Sequence, residues 1–376
     1  MNSDQNPSSW ADPSRFVKHL HVERPCLELD YTQEIINRWG NGYDIVEERG
    51  EPGLDPEEYP ENLTEGKQHL FLSLNRGRFF KPCPATREYR CCEYQVLNIG
   101  MNCPMDCVYC ILQAYLNRPW LSFFVNIDQM FSEMEDAFDD HQRDFFRIGT
   151  GEFTDSLAID RITGLSAKLV SFMAQRKKAI LELKTKSAFI DNLKGLDHQG
   201  RTVVAWSLNA TAVMQKEELR TANLEERLGA AARCAKWGYL LGFHFDPIIE
   251  HDGWQEGYEV TISRIFEVVP AERIAWISLG ALRFLPKLKQ IGTGRFPGSR
   301  IYFQEFIEGL DGKQRYFRTG RVELYCHIYK LLKERCSERT CIYFCMESDE
   351  IWQEVMGFVP EARGGLPKML DLSVSR

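Results

Sequence analysis

Three cysteines crowded into Asn98-Ile-Gly-Met-Asn-Cys103-Pro-Met-Asp-Cys107-Val-Tyr-Cys110 constrain this chain more than any other feature. Their spacing is C-x3-C-x2-C, and the loop follows a short apolar run, Tyr94 to Ile99, that reads as a strand. Thiolates are the usual protein ligands of iron–sulfur clusters. Three of them this close suit three irons of a [4Fe–4S] cube, leaving the fourth iron open to a substrate or cofactor. A structural zinc site is the alternative, with Cys91, Cys92 or His244 as fourth ligand. C-x3-C-x2-C is not a usual zinc-ribbon spacing, so the iron–sulfur reading leads.

Composition narrows the setting. The chain has 376 residues, enough for one large core or two to three smaller ones. Apolar content of 44% and charged content of 27% are those of an ordinary globular protein. The start, MNSDQNPSSWADPSRF, is polar and lacks the apolar centre of a secretory signal. No apolar run approaches the roughly 18 residues of a membrane span. The expectation is a cytoplasmic protein with no membrane partner. Twelve cysteines are too few for a disulfide scaffold, and clustered cysteines in a reducing compartment suggest metal or redox work. Cys83, Cys91 and Cys92 lack ligand spacing and read as packing residues.

The net charge of −8 does not mark a nucleic-acid binder, but its distribution is uneven. From Arg283 to Arg321 nine Lys/Arg stand against three acids, a net of +6 that leaves −14 for the remainder. A basic face on an acidic body is compatible with phosphate contacts. A solvated loop region explains it equally well.

Residues 1–92 read as an N-terminal extension, with a helix near Gln33–Trp39 and a strand at His69–Leu74. From Tyr94 strands alternate with helices, the mark of βαβ units around a parallel sheet. Strands are expected near 94–99, 145–149, 179–186, 202–208, 239–246 and 274–279. Helices are expected near 127–140, 159–176, 188–196, 216–237 and 255–268. Six βα units fall short of a closed eight-fold barrel, so the predicted fold is α/β, a partial (β/α)6 TIM-like barrel over 93–282. A basic α+β region over 283–376 follows, with a helix at Val322–Glu334 and a strand at Thr340–Cys345.

Strand alternation sorts the side chains. Glu182, Lys184 and Lys186 share one face of their strand, Ser207 and Asn209 lie at the end of the next, and His244 and Asp246 at the end of the third. These polar positions gather toward the C-terminal ends, where catalytic groups sit in βα barrels. His244 and Asp246 are expected either to position a ligand or to satisfy each other. Asp155 is expected to cap a helix that begins near Leu157. Trp120, Trp254 and Trp276 read as packing.

The cysteine loop at the end of a first barrel strand resembles the radical S-adenosylmethionine superfamily. That likeness implies a [4Fe–4S] cluster whose open iron chelates S-adenosylmethionine and whose electron generates a 5′-deoxyadenosyl radical. Tyr109 matches the aromatic the superfamily carries between its last two cysteines, and Gly149-Thr-Gly-Glu152 resembles its Gly-Gly-Glu motif. Lys81-Pro-Cys-Pro-Ala-Thr, the cysteine run continuing to Leu112-Gln113, Thr185-Lys186, Trp206-Ser-Leu-Asn209, Gly242-Phe-His-Phe-Asp-Pro247, Gly253-Trp254 and Tyr258 are similar to the spore photoproduct lyase family. The likeness runs in order from about Lys81 to Trp352.

It implies a lyase acting on a DNA photoproduct, served by a reductant such as flavodoxin or ferredoxin. It implies Cys103, Cys107 and Cys110 as cluster ligands, with Lys186, Ser207, Glu152 and Asn209 at S-adenosylmethionine. Arg315, Tyr316, Arg318 and Arg321 fall in the family's basic–aromatic hairpin segment at the lesion, with Tyr316 or Phe317 as a wedge. Two positions depart from the pattern. The family's hydrogen-returning cysteine after the second strand has no counterpart in Arg147–Asp155, and its tyrosine after the third cluster cysteine is Ile111 here. Either the substrate differs, being RNA, a protein or a small molecule, or another thiol such as Cys345 or Cys341 returns the hydrogen.

Overall fold

The computed structural model describes residues 10–84, 89–139 and 143–375. The polar lead at 1–9, positions 85–86 of the Lys81–Thr86 motif and residue 140 of the expected 127–140 helix lie outside the described residues. The main sheet takes its strands in chain order: β1 (Phe80–Pro82), β2 (Gln95–Leu97), β3 (Phe146–Gly149), β4 (Ala179–Thr185), β5 (Thr202–Ser207), β6 (Leu240–Ile248), β7 (Ile274–Ala281) and β8 (Cys341–Phe344). Each pairs with its neighbours in sequence, so the spatial order is β1 through β8 without a permutation. β2 to β8 are parallel, and β1 runs antiparallel on β2.

The long strands are apolar almost throughout because both faces are covered. Leu181 and Leu183 are as buried as Val203, Val204 and Trp206. Helices Leu165–Ala174, Leu224–Lys236 and Trp254–Val268 return the chain between strands. The second starts at a capping box, Asn223 bonding the Glu226 amide while Glu226 bonds the Asn223 amide. The sheet does not close: β1 and β8 remain its edges among the described residues. β8 lies in the stretch assigned from sequence to a separate basic region, yet it extends the barrel sheet through the register Trp276 to Cys341.

The N-terminal residues build a second sheet, in the order Asp44–Val46, His19–Glu23, His69–Ser73, Leu121–Phe124 and Gly100–Met101. The last two segments come from either side of the cysteine loop, so this sheet holds both ends of that loop. Among the described residues no helix is long and apolar enough to cross a membrane.

Candidate active site

The cysteine loop is fixed from three directions. Asp106–Cys107 pairs antiparallel with Glu218–Leu219, setting Cys107 opposite Glu218. The Asp106 carboxylate takes Lys67 Nζ at 3.0 Å and Arg295 at 3.0 Å, and Arg220 approaches to 3.8 Å. Burial works against that charge, and Lys67, Arg295 and Arg220 outweigh it, holding the carboxyl below its ordinary pKa. Gln113 Nε2 donates to the carbonyls of Cys107 and Val108, both at 3.0 Å, and the Tyr302 hydroxyl donates to Val108 at 2.9 Å. At the loop's start Asn102 adopts φ +69°. Its side chain accepts from the Cys103 amide at 3.0 Å, and its own amide donates to Phe153 at 2.8 Å. All three cysteines are free thiols.

These thiols open onto a cleft of about 560 Å³ that also receives Glu152, Asp155, Lys184, Thr185, Lys186, Ser207 and Asp246. The cleft lies at the C-terminal ends of the parallel strands, as the alternation pattern requires. Burial pushes the Cys103 thiol up to about 12 and Cys107 well above its usual value, so a metal must displace protons to bind there. The donor set suits a cluster: three soft ligands on one short loop, with polar side chains across the opening.

Asp155 does more than cap. Its Oδ1 accepts from the amides of Leu157 (3.0 Å) and Ala158 (2.8 Å) and from the Thr185 hydroxyl (2.6 Å), while Oδ2 accepts from the Lys186 amide at 2.8 Å. One carboxylate thus ties the turn after β3 to the Thr185-Lys186 step after β4. The Lys186 ammonium lies 5.6 Å from the centre of the Tyr109 ring. Gly149 has no room for a side chain, since a Cβ there would fall 1.3 Å from the Tyr94 hydroxyl. Lys184 joins the cleft although the motifs do not include it. Burial opposes its ammonium, but Glu152, Glu182 and Asp246 outweigh that and raise its pKa. Its place on the polar face of β4 is the sequence signal that marks it.

Several expectations change. Asn209 is outside the cleft and 1% exposed, with Nδ2 donating to Pro247 O at 2.7 Å and Oδ1 accepting from Tyr258 at 2.5 Å. It ties the end of β5 to Pro247 near the end of β6 and to Tyr258, so both its side-chain polar atoms are engaged inside the protein. The Tyr109 hydroxyl is bound to Glu218, which also pairs with Arg227, leaving only the Tyr109 ring to face the cleft. That hydroxyl is therefore buried against a carboxylate rather than open to the cleft. His244 and Asp246 do not pair. The histidine bonds Glu182 at 2.8 Å and Ser278 at 2.6 Å, and the aspartate bonds Arg283 at 3.0 and 3.2 Å. Cys341 is buried on β8, whereas Cys345 lines the cleft with Arg283 at 3.4 Å. Burial and Asp246 push the Cys345 thiol up to about 12.

The basic stretch is largely spent on internal pairs. Arg315 is 2% exposed, bound to Asp311 at 2.8 Å and lying 4.1 Å from the Tyr89 ring centre. Tyr316 is equally buried, stacked on Phe306 with ring centres 5.0 Å apart. Arg321 pairs with Glu347 at 3.1 Å. Arg315 and Tyr316 are thus enclosed by the chain itself, and Arg321, partly buried, is held in an internal pair. The hairpin itself exists, Phe306–Glu308 against Gln314–Tyr316, with Leu310 exposed at its tip. Arg318 is exposed beside Phe317 and paired with Glu354. Lys287, Lys289 and Arg300 are exposed too, Lys289 and Arg300 lying 5.4 and 5.7 Å from the Phe303 ring centre.

The spore photoproduct lyase family model matches residues 67–347, three quarters of the chain. The chain belongs to the spore photoproduct lyase family. Relatives named spore photoproduct lyase include one from Geobacillus, 26% identical over 86% of this chain and 93% of its own, and one from Bacillus subtilis, 25% identical over 84% and 91%. Among solved structures, a cysteine-to-alanine, serine-to-cysteine double mutant of spore photoproduct lyase with bound S-adenosylmethionine and dinucleoside photoproduct superposes with TM-score 0.76. It is 23% identical and covers 87% of this chain and 98% of that one, showing the same fold.

Proposed function

We propose that this chain is a radical S-adenosylmethionine lyase that repairs a DNA photoproduct. The observation that carries the reading is that Cys103, Cys107 and Cys110 open onto one cleft with Lys186, Ser207 and Glu152. The three thiolates would hold a [4Fe–4S] cluster. Lys186 and Ser207 would bind S-adenosylmethionine through its carboxylate and hydroxyls, and Glu152 would accept from its ammonium. When bound, cluster and cofactor supply a 5′-deoxyadenosyl radical that abstracts hydrogen from the substrate. Cys345, which keeps its proton at neutral pH and faces the same cleft, is the proposed source of the returned hydrogen. Lys287, Lys289 and Arg300 are the exposed cations proposed for phosphates, joined by Arg318 if it leaves Glu354, with Phe303 and Phe317 as stacking faces. Electrons come from a flavodoxin- or ferredoxin-type reductant in the cytoplasm. Of the expected units, 1–92, 93–282 and 283–376, the outer two each give a strand to the barrel sheet, β1 and β8, so the proposed barrel unit runs from about 80 to 344.

The test is anaerobic reconstitution followed by measurement of 5′-deoxyadenosine with dithionite as electron source. Photoproduct-bearing oligonucleotide should accelerate its formation over undamaged DNA, and Cys107→Ala should abolish both iron loading and turnover. Ile111 and the missing cysteine in Arg147–Asp155 favour a second reading, the same radical chemistry on RNA, a protein or a small molecule. Equal rates with damaged and undamaged DNA would select it.

A further inference from the structure

Cys345 stands where the last barrel strand ends. Its amide donates to Leu279 O at 2.9 Å, one step past the final β8 pairing of Leu279 with Phe344. The next residue, Met346, turns the chain at φ +56°. What holds this end comes from the small sheet of the hairpin. Arg283–Phe284 pairs antiparallel with the hairpin strand Gln314–Tyr316, setting Arg283 opposite Arg315. The Arg283 guanidinium forks onto Asp246, Nη1 to Oδ1 at 3.0 Å and Nη2 to Oδ2 at 3.2 Å, and Nη2 also donates to Cys345 Sγ at 3.4 Å. Arg315 donates to Met346 O at 3.2 Å. The Asp246–Arg283 pair needs glycine at position 280, where a Cβ would lie 2.6 Å from Asp246 Oδ1 and 2.8 Å from Arg283 Nη1.

A guanidinium carries donors and no acceptor, and it keeps its charge at any pH the protein meets. The Cys345 sulfur can therefore only accept from Arg283. Its own S–H, turning about the Cβ–Sγ bond, must point away from the arginine, and the thiol lines the cleft with Lys186, Ser207 and Glu152. We propose that Arg283, locked in place by Asp246, is a positioning residue that turns the Cys345 S–H toward the substrate radical. This rests on Cys345 being the hydrogen source named above. In the step it serves, the S–H bond breaks and a C–H bond forms at the substrate carbon, leaving a thiyl on Cys345. One electron from the flavodoxin- or ferredoxin-type reductant and one proton from water restore the thiol. A lysine at 283 would keep the charge but lose the fork, because an ammonium is a point charge without two parallel donors.

Two measurements test the assignment. In full-length protein without cluster or cofactor, mass spectrometry follows iodoacetamide alkylation of Cys345 at fixed pH, with exposed Cys326 as internal reference. A cation donating to sulfur favours the thiolate, so Arg283→Met should slow alkylation of Cys345 several-fold relative to Cys326. An unchanged or faster rate would overturn the proposal. In the reconstituted enzyme, turnover of photoproduct oligonucleotide in deuterium oxide should place solvent deuterium in the repaired product. The amount of deuterated product per 5′-deoxyadenosine should fall several-fold in Arg283→Met. Arg283→Lys, which keeps Asp246 paired, should show a smaller loss in both measurements and carries the test if the methionine variant does not fold. If Cys345→Ala lowers the deuterium ratio and neither Arg283 variant does, the positioning role is overturned while the hydrogen source stands. If Cys345→Ala leaves the ratio unchanged, the hydrogen source itself is wrong and the positioning role goes with it.

Discussion

At the scale of single residues, Glu182 inside β4 and Lys186 just past its end show how positions four apart serve different ends. Lys186 sits at the cleft with its backbone held by Asp155, so removing its ammonium leaves the fold intact. Lys186→Met is expected to weaken S-adenosylmethionine binding by about 10- to 100-fold, the worth of one charge-assisted hydrogen bond. Equilibrium binding to the reconstituted protein measures this, with an unchanged melting temperature as control. Glu182 lies deeper, bonded to His244 and to Trp276 Nε1 at 2.7 Å. Burial penalises its charge, but His244 and the hydrogen bonds prevail and bring its pKa from 4.5 to about 2. A depressed carboxyl stabilises the folded state fully above its unfolded value and loses that contribution as pH falls toward the folded one. Between pH 4.5 and 2 the protein should lose stability with a slope that Glu182→Gln reduces, read by acid titration of the unfolding midpoint.

At the scale of elements, the support behind the cysteine loop matters more than the loop's own sequence. Arg227 and Glu218 are a fully buried pair, with side chains 0% and 1% exposed, and Glu218 also holds Tyr109 and the strand opposite Cys107. Arg227→Met strands a buried carboxylate and should cost about 3–5 kcal/mol in denaturant unfolding, with a fall in iron loading. The longer parallel strands were legible because apolar runs such as Val203–Trp206 and Ile274–Ile277 alternate along the chain with amphipathic helical stretches. Gly100–Met101 and Leu121–Phe124 were not, since segments so short carry no periodicity. The basic hairpin misled for a related reason. Arg315 is neutralised by Asp311, four positions earlier across the turn, and a charge count cannot distinguish a pair that buries itself from cations left in water.

At the scale of the whole molecule, the final strand belongs to the catalytic sheet. Phe344 is fully buried beneath Trp352 and Tyr325, so Phe344→Ala should cost about 3–5 kcal/mol. Thermal unfolding should remain a single transition if β8 is integral to the sheet. Two peaks in calorimetry would mean that the C-terminal region unfolds separately. For substrate binding, the free cations set the salt dependence. Lys289→Ala/Arg300→Ala should reduce the slope of log affinity against log salt by about two, whereas Arg315→Ala should alter stability and leave the slope alone.

The bracing of the cysteine loop also fixes an order of manufacture. Arg295 and Tyr302 hold that loop from 189 and 194 positions further along the chain. The sheet grows by adding each strand beside the one made before it, so much of the barrel can assemble as the chain emerges from the ribosome. The three cysteines meanwhile leave the ribosome early and wait without these two braces through about half of translation. Iron and sulfide delivered in that interval would meet a loop without its final shape. Cluster insertion is therefore a task for the finished chain, and protecting the waiting thiols from oxygen is a demand on the cell that makes it.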